Sequence, residues 1–372
     1  MNSTSSLFSP ITLGNSKLNH RLVLCPLTRF RADKDHVPTP MMAEYYGQRA
    51  SEGGLMISEA TYITPADGVL PNTPGIYSEA QIEGWKEISK SVHTKGATMF
   101  LQLWHTGRAA CSQLNPNNEQ PIGPSAISIQ GKGLTGVPYE MPRALETHEI
   151  PKVIETFVQA AKNAIEAGFD GVELHAANGY LVDQFINTSS NKRTDLYGGS
   201  IENRARFAME LVGAVAEAIG EERTAIRFSP WSGFQDMKDD TPYETWGYLV
   251  SQFQEKHPKL GYVHFIEPRD DFLGRLDQPE RAHIAVTETV EPFQNIWKGP
   301  FIVSGGYTAN PKRAFETADK NSNTLVAIGR AFISNPDLPL RLKNNWPLSP
   351  YDRSTFYTND AVGYTDYEFY TE

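Results

Sequence analysis

Cysteine is scarce in this chain of 372 residues: Cys25 and Cys111 are the only two. Two thiols make no disulfide framework, and an iron–sulfur cluster normally takes four. Long apolar runs are missing as well, so no stretch reaches the length of a membrane span. Positive charge is in deficit. The 34 Lys and Arg against 44 Asp and Glu leave a net charge of −10, a surface unattractive to nucleic acid and anionic membranes. Met1-Asn2-Ser3-Thr4-Ser5-Ser6 lacks the basic start and apolar core of a secretory signal. Tyr370-Thr371-Glu372 is no peroxisomal or retention signal. The expectation is a cytoplasmic protein with no membrane and no nucleic-acid partner. Repeats at solenoid spacing and low-complexity tracts are also lacking. His93 and His105 lack metal-ligand spacing and no His-Glu-x-x-His run occurs, so no metal is expected. There is no Gly-x-Ser-x-Gly elbow, and no lysine at an expected strand end to form a Schiff base. Asp239-Asp240 reads as a solvated loop.

What is present is core-forming material, 40% hydrophobic residues, in a length that α/β barrels commonly fill as one domain. The stretch from Gly168 to Tyr180 organises the rest. Gly168 suits the left-handed position past a helix end, and Phe169-Asp170-Gly171 turns the chain. Val172 to Leu174 is a short buried strand, after which His175, Asn178 and Tyr180 emerge. A His and an amide can hold a carbonyl or nitro oxygen, and a phenol can deliver a proton. A packed His, a cap Asn and a core Tyr is the plainer alternative.

Seven further strands are read at 22–25, 55–58, 98–105, 225–228, 262–266, 301–304 and 325–328. Helical spacing fills 79–96, 150–167 and 203–219, and Asn310-Pro311 looks like a helix start with Pro first. Alternating strands and helices imply an α/β fold, a (β/α)8 TIM barrel over residues 1–372. An open doubly wound sheet is the rival, but no Gly-x-Gly-x-x-Gly follows the first strand. A hairpin turning at Gly14-Asn15 is expected to cover the barrel floor. The Pro-, Gly-, Asn- and Ser-rich piece from Cys111 to Thr147 reads as an excursion over the mouth after strand three.

Active sites of such barrels lie at the C-terminal strand ends. There, Gly305-Gly306 and Gly329-Arg330 mark a phosphate site, because glycines let backbone N–H groups approach an anion and Arg330 can grip its oxygens. Ordinary barrel turns with a surface Arg would look the same. Arg227 and Gln102 suit the polar edge of a flat ring such as an isoalloxazine. An internal ion pair of Arg227 with Glu59 or Glu173 is the alternative use.

Asn19-His20-Arg21, Pro26-Leu27-Thr28-Arg29-Phe30-Arg31 and Glu44-Tyr45-Tyr46-Gly47-Gln48-Arg49 open a series of specific landmarks. It continues with Gln102 to Arg108, His175 to Leu181 and Asp195 to Arg204. With these the chain resembles the Old Yellow Enzyme family of FMN-dependent ene-reductases over nearly its whole length. The eukaryotic branch, with fungal and plant members, looks closest, and the fungal side is the expectation. The resemblance implies that Pro26, Leu27, Thr28, Ala60, Gln102 and Arg227 meet FMN. It implies that Ser304, Gly305, Gly306, Gly329 and Arg330 hold the phosphate. His175 and Asn178 would bind the substrate's activating group, with His175 also against the flavin, and Tyr180 would donate the proton. Trp104 and Tyr357 would shape the pocket, with loops 111–147, 231–241 and 265–272. NADPH would be the reductant, an activated alkene the substrate, and the protein a monomer or homodimer. Relatives that isomerise carry Phe at the proton-donor position, so Tyr180 points to net reduction. Leu27 departs from the Met frequent among relatives. A non-redox lyase or sensor for a phosphorylated metabolite stays open as the alternative.

Overall fold

The computed structural model describes residues 5–67, 70–268, 288–307 and 310–371. A hairpin pairs β1 (Ile11–Leu13) with β2 (Ser16–Leu18), and β3 (Leu22–Leu24) follows. Next come α1 (Pro40–Arg49), β4 (Leu55–Ile57) and its short extension β5 (Thr61–Tyr62). Then α2 (Glu79–His93) leads into β6 (Thr98–Trp104). The excursion carries β7 (Ile122–Gly123) and β8 (Arg143–Ala144), and α3 (Ile150–Glu166) returns the chain to β9 (Gly171–Ala176). Two helices, α4 (Leu181–Ile186) and α5 (Ile201–Ile219), precede β10 (Thr224–Phe228). Next, α6 (Pro242–Lys256) leads to β11 (Tyr262–Ile266), and α7 (Glu291–Ile296) to β12 (Phe301–Ser304). After α8 (Lys312–Lys320) and β13 (Thr324–Ile328), α9 (Arg330–Ser334) and α10 (Leu338–Asn344) follow.

Parallel strands run β4-β3-β13-β12-β11-β10-β9-β6, and β4 pairs with β6 to close the sheet. This is the expected (β/α)8 barrel, and an open sheet is excluded. Side chains alternate across each strand. Leu22, Leu24, Met99, Leu101, Val172, Leu174, Val263 and Phe265 face the helices in the outer core. Val23, Leu55, Ile57, Phe100, Ala225, Tyr262, Ile302 and Leu325 fill the barrel interior, together with Leu13 and Leu18 of the hairpin. The hairpin therefore plugs the floor. Gly14 turns it with φ +53°, and a Cβ there would lie 2.2 Å from the Glu222 carbonyl oxygen.

Helix ends follow local chemistry. Ser78 and Gln81 form a reciprocal capping box on α2, and the Ser200 hydroxyl accepts from Asn203 N–H on α5. Gly168 adopts the left-handed conformation (φ +89°) past α3, as expected. The segment after Tyr180 coils into the fully buried α4. Two expectations shift. The first turn of α8 begins at Lys312, so Pro311 is its cap rather than its first residue. Asp239 is not solvated: its carboxylate is buried, accepts from Thr245 Oγ1 at 2.8 Å and lies 3.5 Å from Arg204. A buried carboxylate needs such partners, and Arg204 supplies the charge.

Replacing Gly14 with Ala is expected to lower stability by about 2 kcal/mol or more, since a clash adds to the φ penalty. Gly131→Ala, with φ +91° and open space around its Cβ, should cost only the smaller φ term. Urea midpoints at unchanged m would separate the two.

Candidate active site

One pocket opens at the C-terminal strand ends. It takes in Pro26, Leu27, Thr28, Ala60, Gln102, Trp104, His175, Asn178, Tyr180, Arg227, Ser304, Gly305, Gly306, Gly329, Arg330 and Tyr357, so every residue singled out from the sequence lines it. Closure of the barrel brings them together from positions up to some 330 residues apart.

The polar edge comes first. Arg227 is 7% exposed, and its Nη2 donates to Cys25 Sγ at 3.5 Å. Neither expected ion pair forms. Glu173 is instead engaged by Gln102 Nε2 at 2.6 Å and by His264 Nδ1 at 2.8 Å. Glu59 accepts from the Arg29 backbone N–H at 3.2 Å. Gln102 therefore gives its amide N–H₂ to the protein and keeps its oxygen for the pocket.

The glycine turns come second. Gly305 (φ +116°) and Gly306 (φ +78°) sit in left-handed conformations that favour glycine. At Gly329 a Cβ would approach Leu27 Cδ2 to 3.0 Å, so the turn hugs the wall of the pocket. Arg330 begins α9, half-buried at the rim.

The third group is His175, Asn178 and Tyr180. His175 and Tyr180 meet ring to ring at 5.1 Å and 70°, and Tyr180 meets Trp104 edge-on at 4.7 Å. Trp104 in turn stacks on Tyr62 at 5.1 Å. Asn178 takes φ +59°, its N–H donating to Ser229 Oγ at 2.7 Å. Gly179 N–H donates to Asp183 at 2.8 Å, which fixes the turn that presents Tyr180. Burial, with Arg227 and His264 nearby, holds His175 well below its ordinary pKa, so the imidazole is neutral. Burial likewise raises the Tyr180 phenol, keeping its proton in place.

Four buried polar atoms at this pocket, Arg227 Nε, His175 Nδ1, Asn178 Oδ1 and Trp104 Nε1, have no partner among the described residues. Each unpaired group costs about 1–3 kcal/mol. Their convergence beside paired glycine turns fits a planar polar ring with an anionic tail.

Arg353 and Phe356, which arrive with Tyr357 on the C-terminal segment, and Leu70 on a loop were not read from the sequence as lining residues. Leu134 and Phe234 come from loops 111–147 and 231–241, which were expected to shape the pocket. Gln235, whose side chain neighbours the Tyr180 hydroxyl, lies in the second of these loops. Of segment 265–272, residues 269–272 lie outside those described. Among the described residues there is no cluster able to hold a metal and no helix long and apolar enough to cross a membrane.

The C-terminal segment is held by arginines that follow the pocket-lining Thr28. Arg29 donates to the carbonyls of Phe356 (3.1 Å) and Gly363 (2.8 Å). Arg31 donates to Thr355 O and Asp360 O, each at 3.0 Å. Beneath them lies Glu59, next to Ala60, whose carboxyl burial pushes up to about 7 despite Arg29 and Arg31.

Comparison with known proteins agrees with this geometry. Residues 6–349 match the model of the NADH:flavin oxidoreductase / NADH oxidase family. The chain is 47% identical to 12-oxophytodienoate reductase 1 of Oryza sativa subsp. japonica, across 98% of this chain and 93% of the relative. It is 46% identical to the flavin oxidoreductase hxnT of Emericella nidulans, across 98% and 97%. Among solved structures it resembles morphinone reductase, with 43% identity, TM-score 0.88 and 98% of both chains covered, in a complex with tetrahydroNAD. Old Yellow Enzyme from Pichia sp. AKU4542 superposes with TM-score 0.89 at 38% identity, covering 100% of this chain and 95% of that one. The barrel and pocket are thus those of a flavin oxidoreductase. The chain belongs to the NADH:flavin oxidoreductase / NADH oxidase family and is an FMN-dependent enzyme of Old Yellow Enzyme type. This sets aside the non-redox alternative. Plant and fungal relatives are about equally similar, so the fungal placement is not distinguished.

The raised Glu59 carboxyl has a signed consequence. The folded state holds this proton to higher pH than the unfolded chain does. Its contribution is full below about pH 4.5 and is lost as pH rises through about 7. Between pH 5 and pH 8, wild type should lose about 2 kcal/mol that Glu59→Gln does not lose. Chemical denaturation of both proteins at the two pH values measures the difference.

Proposed function

We propose that this enzyme reduces the activated C=C bond of α,β-unsaturated aldehydes, ketones or nitroalkenes with NADPH as reductant. The observation that carries the proposal is the unpartnered His175 Nδ1, with the Asn178 side-chain amide beside it, flanking the partly exposed Tyr180 in the pocket that suits FMN. The chemistry FMN supplies when bound is transfer of hydride equivalents from the nicotinamide to the substrate β-carbon.

The chain's own residues do the rest. Arg227, Gln102, Thr28 and Ala60 hold the ring's polar edge, against Pro26 and Leu27. Backbone at Ser304, Gly305, Gly306 and Gly329, with Arg330, holds the phosphate. His175 and the Asn178 amide hydrogen-bond the substrate's carbonyl or nitro oxygen, where negative charge grows during reduction. Because His175 is neutral, it offers one N–H without adding a charge. Tyr180 delivers a proton to the α-carbon, with Gln235 beside its hydroxyl. Trp104 braces Tyr180 edge-on, and Tyr357, 46% exposed, closes the outer wall. Stacking of the substrate in this confined slot supplies the alignment. The tetrahydroNAD complex of morphinone reductase supports a nicotinamide cofactor as the reductant.

Purified protein is expected to be yellow and to bleach with NADPH under nitrogen. Tyr180→Phe should reduce turnover of 2-cyclohexenone at least tenfold, while bleaching by NADPH stays within about twofold of wild type. Equal turnover in both proteins would remove Tyr180 from its role.

A further inference from the structure

Below the pocket floor, Glu173 and His264, which the proposed chemistry does not use, join Gln102 to Ser304 in a line of buried polar side chains. Gln102 Nε2 donates to Glu173 Oε1 at 2.6 Å. The other carboxylate oxygen accepts from His264 Nδ1 at 2.8 Å, and His264 Nε2 lies 2.9 Å from Ser304 Oγ. Glu173 and His264 are 0% exposed. The line crosses the barrel interior from β6 through β9 and β11 to β12. It passes over β10 at Ala225, which pairs in register with Glu173 and Tyr262 and whose small side chain leaves room for the carboxylate to reach His264.

The chemistry of each link is determined. Burial, then Arg227, pushes His264 down to about 4, so it is neutral. A neutral imidazole that donates through Nδ1 must accept through Nε2. With His264 Nε2 at 2.9 Å and the Phe265 carbonyl oxygen at 3.4 Å as its acceptors, the Ser304 hydroxyl turns its hydrogen away from the pocket and has none left for an anion. At the other end, a carboxylate accepts only, so the Gln102 amide must turn its N–H₂ inward and its oxygen to the pocket. Burial opposes charge on Glu173, but His264, Arg227 and Gln102 outweigh it and hold the carboxyl below its ordinary value. Its negative charge thus stands one layer behind Arg227 without touching it. A buried carboxylate is rarely the most stabilising choice for a core layer. Here its field falls on the one arginine at the ring's polar edge.

We propose that Glu173 is a positioning residue for the cofactor ring: it fixes the Gln102 amide oxygen toward the pocket, tempers the Arg227 charge, and through His264 turns the Ser304 hydroxyl away from the phosphate. This rests on the flavin reading of the pocket. It follows that the phosphate is gripped by backbone N–H groups and Arg330, not by the Ser304 hydroxyl. It also follows that Glu173 makes the bound ring harder to reduce, because reduction adds negative charge that Arg227 would otherwise stabilise more strongly.

Two measurements test it. In wild type with ¹⁵N-labelled histidine, the His264 imidazole, assigned by its loss in His264→Asn, should show the neutral Nδ1–H form at pH 7. A neutral Nε2–H form or a doubly protonated ring overturns the proposal, and this readout needs no variant of Glu173 to fold. In Glu173→Gln, the midpoint potential of bound FMN should become less negative. The two-electron equilibrium should shift at least tenfold, about 30 mV. Glu173→Asp, which keeps the charge, should shift less. A yellow Glu173→Gln protein with an unchanged or more negative potential overturns the inference while leaving the flavin site intact. Wild-type protein that binds no FMN would instead overturn the reading of the pocket.

Discussion

Hydrogen bonds between β4 and β6, and between β13 and β3, leave no free edge in the eight-stranded parallel sheet. Everything at the site depends on that closure. Once the sheet is a ring, alternate side chains must point inward, whatever their chemistry. The lower layers are apolar, from the hairpin's Leu13 and Leu18 to Phe100 and Tyr262. The upper layer is Gln102, His175, Arg227 and Ser304. The change from apolar to polar along each strand defines a floor and a mouth within one barrel. Between them, Glu173 and His264 form a hydrogen-bonded boundary that belongs to neither.

Charge is managed by distance rather than contact. Arg227 is buried, yet no carboxylate among the described residues touches it; Glu173 stands one layer behind it. Arg29, Arg31 and Arg49 are also buried, and they meet backbone carbonyls and aromatic faces instead of acids. Arg31 lies 4.6 Å and Arg29 5.0 Å from the centre of the Tyr364 ring. Arg49 donates to Ile333 O at 2.6 Å and Tyr364 O at 3.1 Å. Glu59, surrounded by this set, still has a raised carboxyl, because burial outweighs the charges of Arg29 and Arg31 and the hydrogen bonds it accepts from a backbone N–H and a phenol. Buried cations here act as multi-dentate donors that staple loops.

The barrel was legible in the sequence because its signals are local. Short β-rich runs ended by Gly or Pro recur between helical periodicities, and a period-two pattern fixes which residues face inward. Thr28, Gln102, His175, Asn178, Arg227 and the glycine turns were legible for the same reason, since they sit at strand ends, whereas Pro26, Leu27, Ala60, Trp104 and Tyr357 were expected only from the family resemblance. What could not be read depends on contacts between distant segments. Nothing near Arg353 or Phe356 tells that they return to the residues after β3. Asp239 looked solvated because its partner Arg204 is 35 residues away. Glu173 was first considered as a counter-ion of Arg227. Only the register of β9 against β6 and β10 shows that it faces Gln102 and His264 instead.

The arginine-held segment has a consequence for how the protein comes into being. Thr28 and Tyr357 line one pocket, yet more than 300 residues of synthesis separate them. The mouth is therefore walled by the two ends of the sequence: its outer wall can form only once Gly363 and Tyr364 are in place for Arg29 and Arg49 to hold.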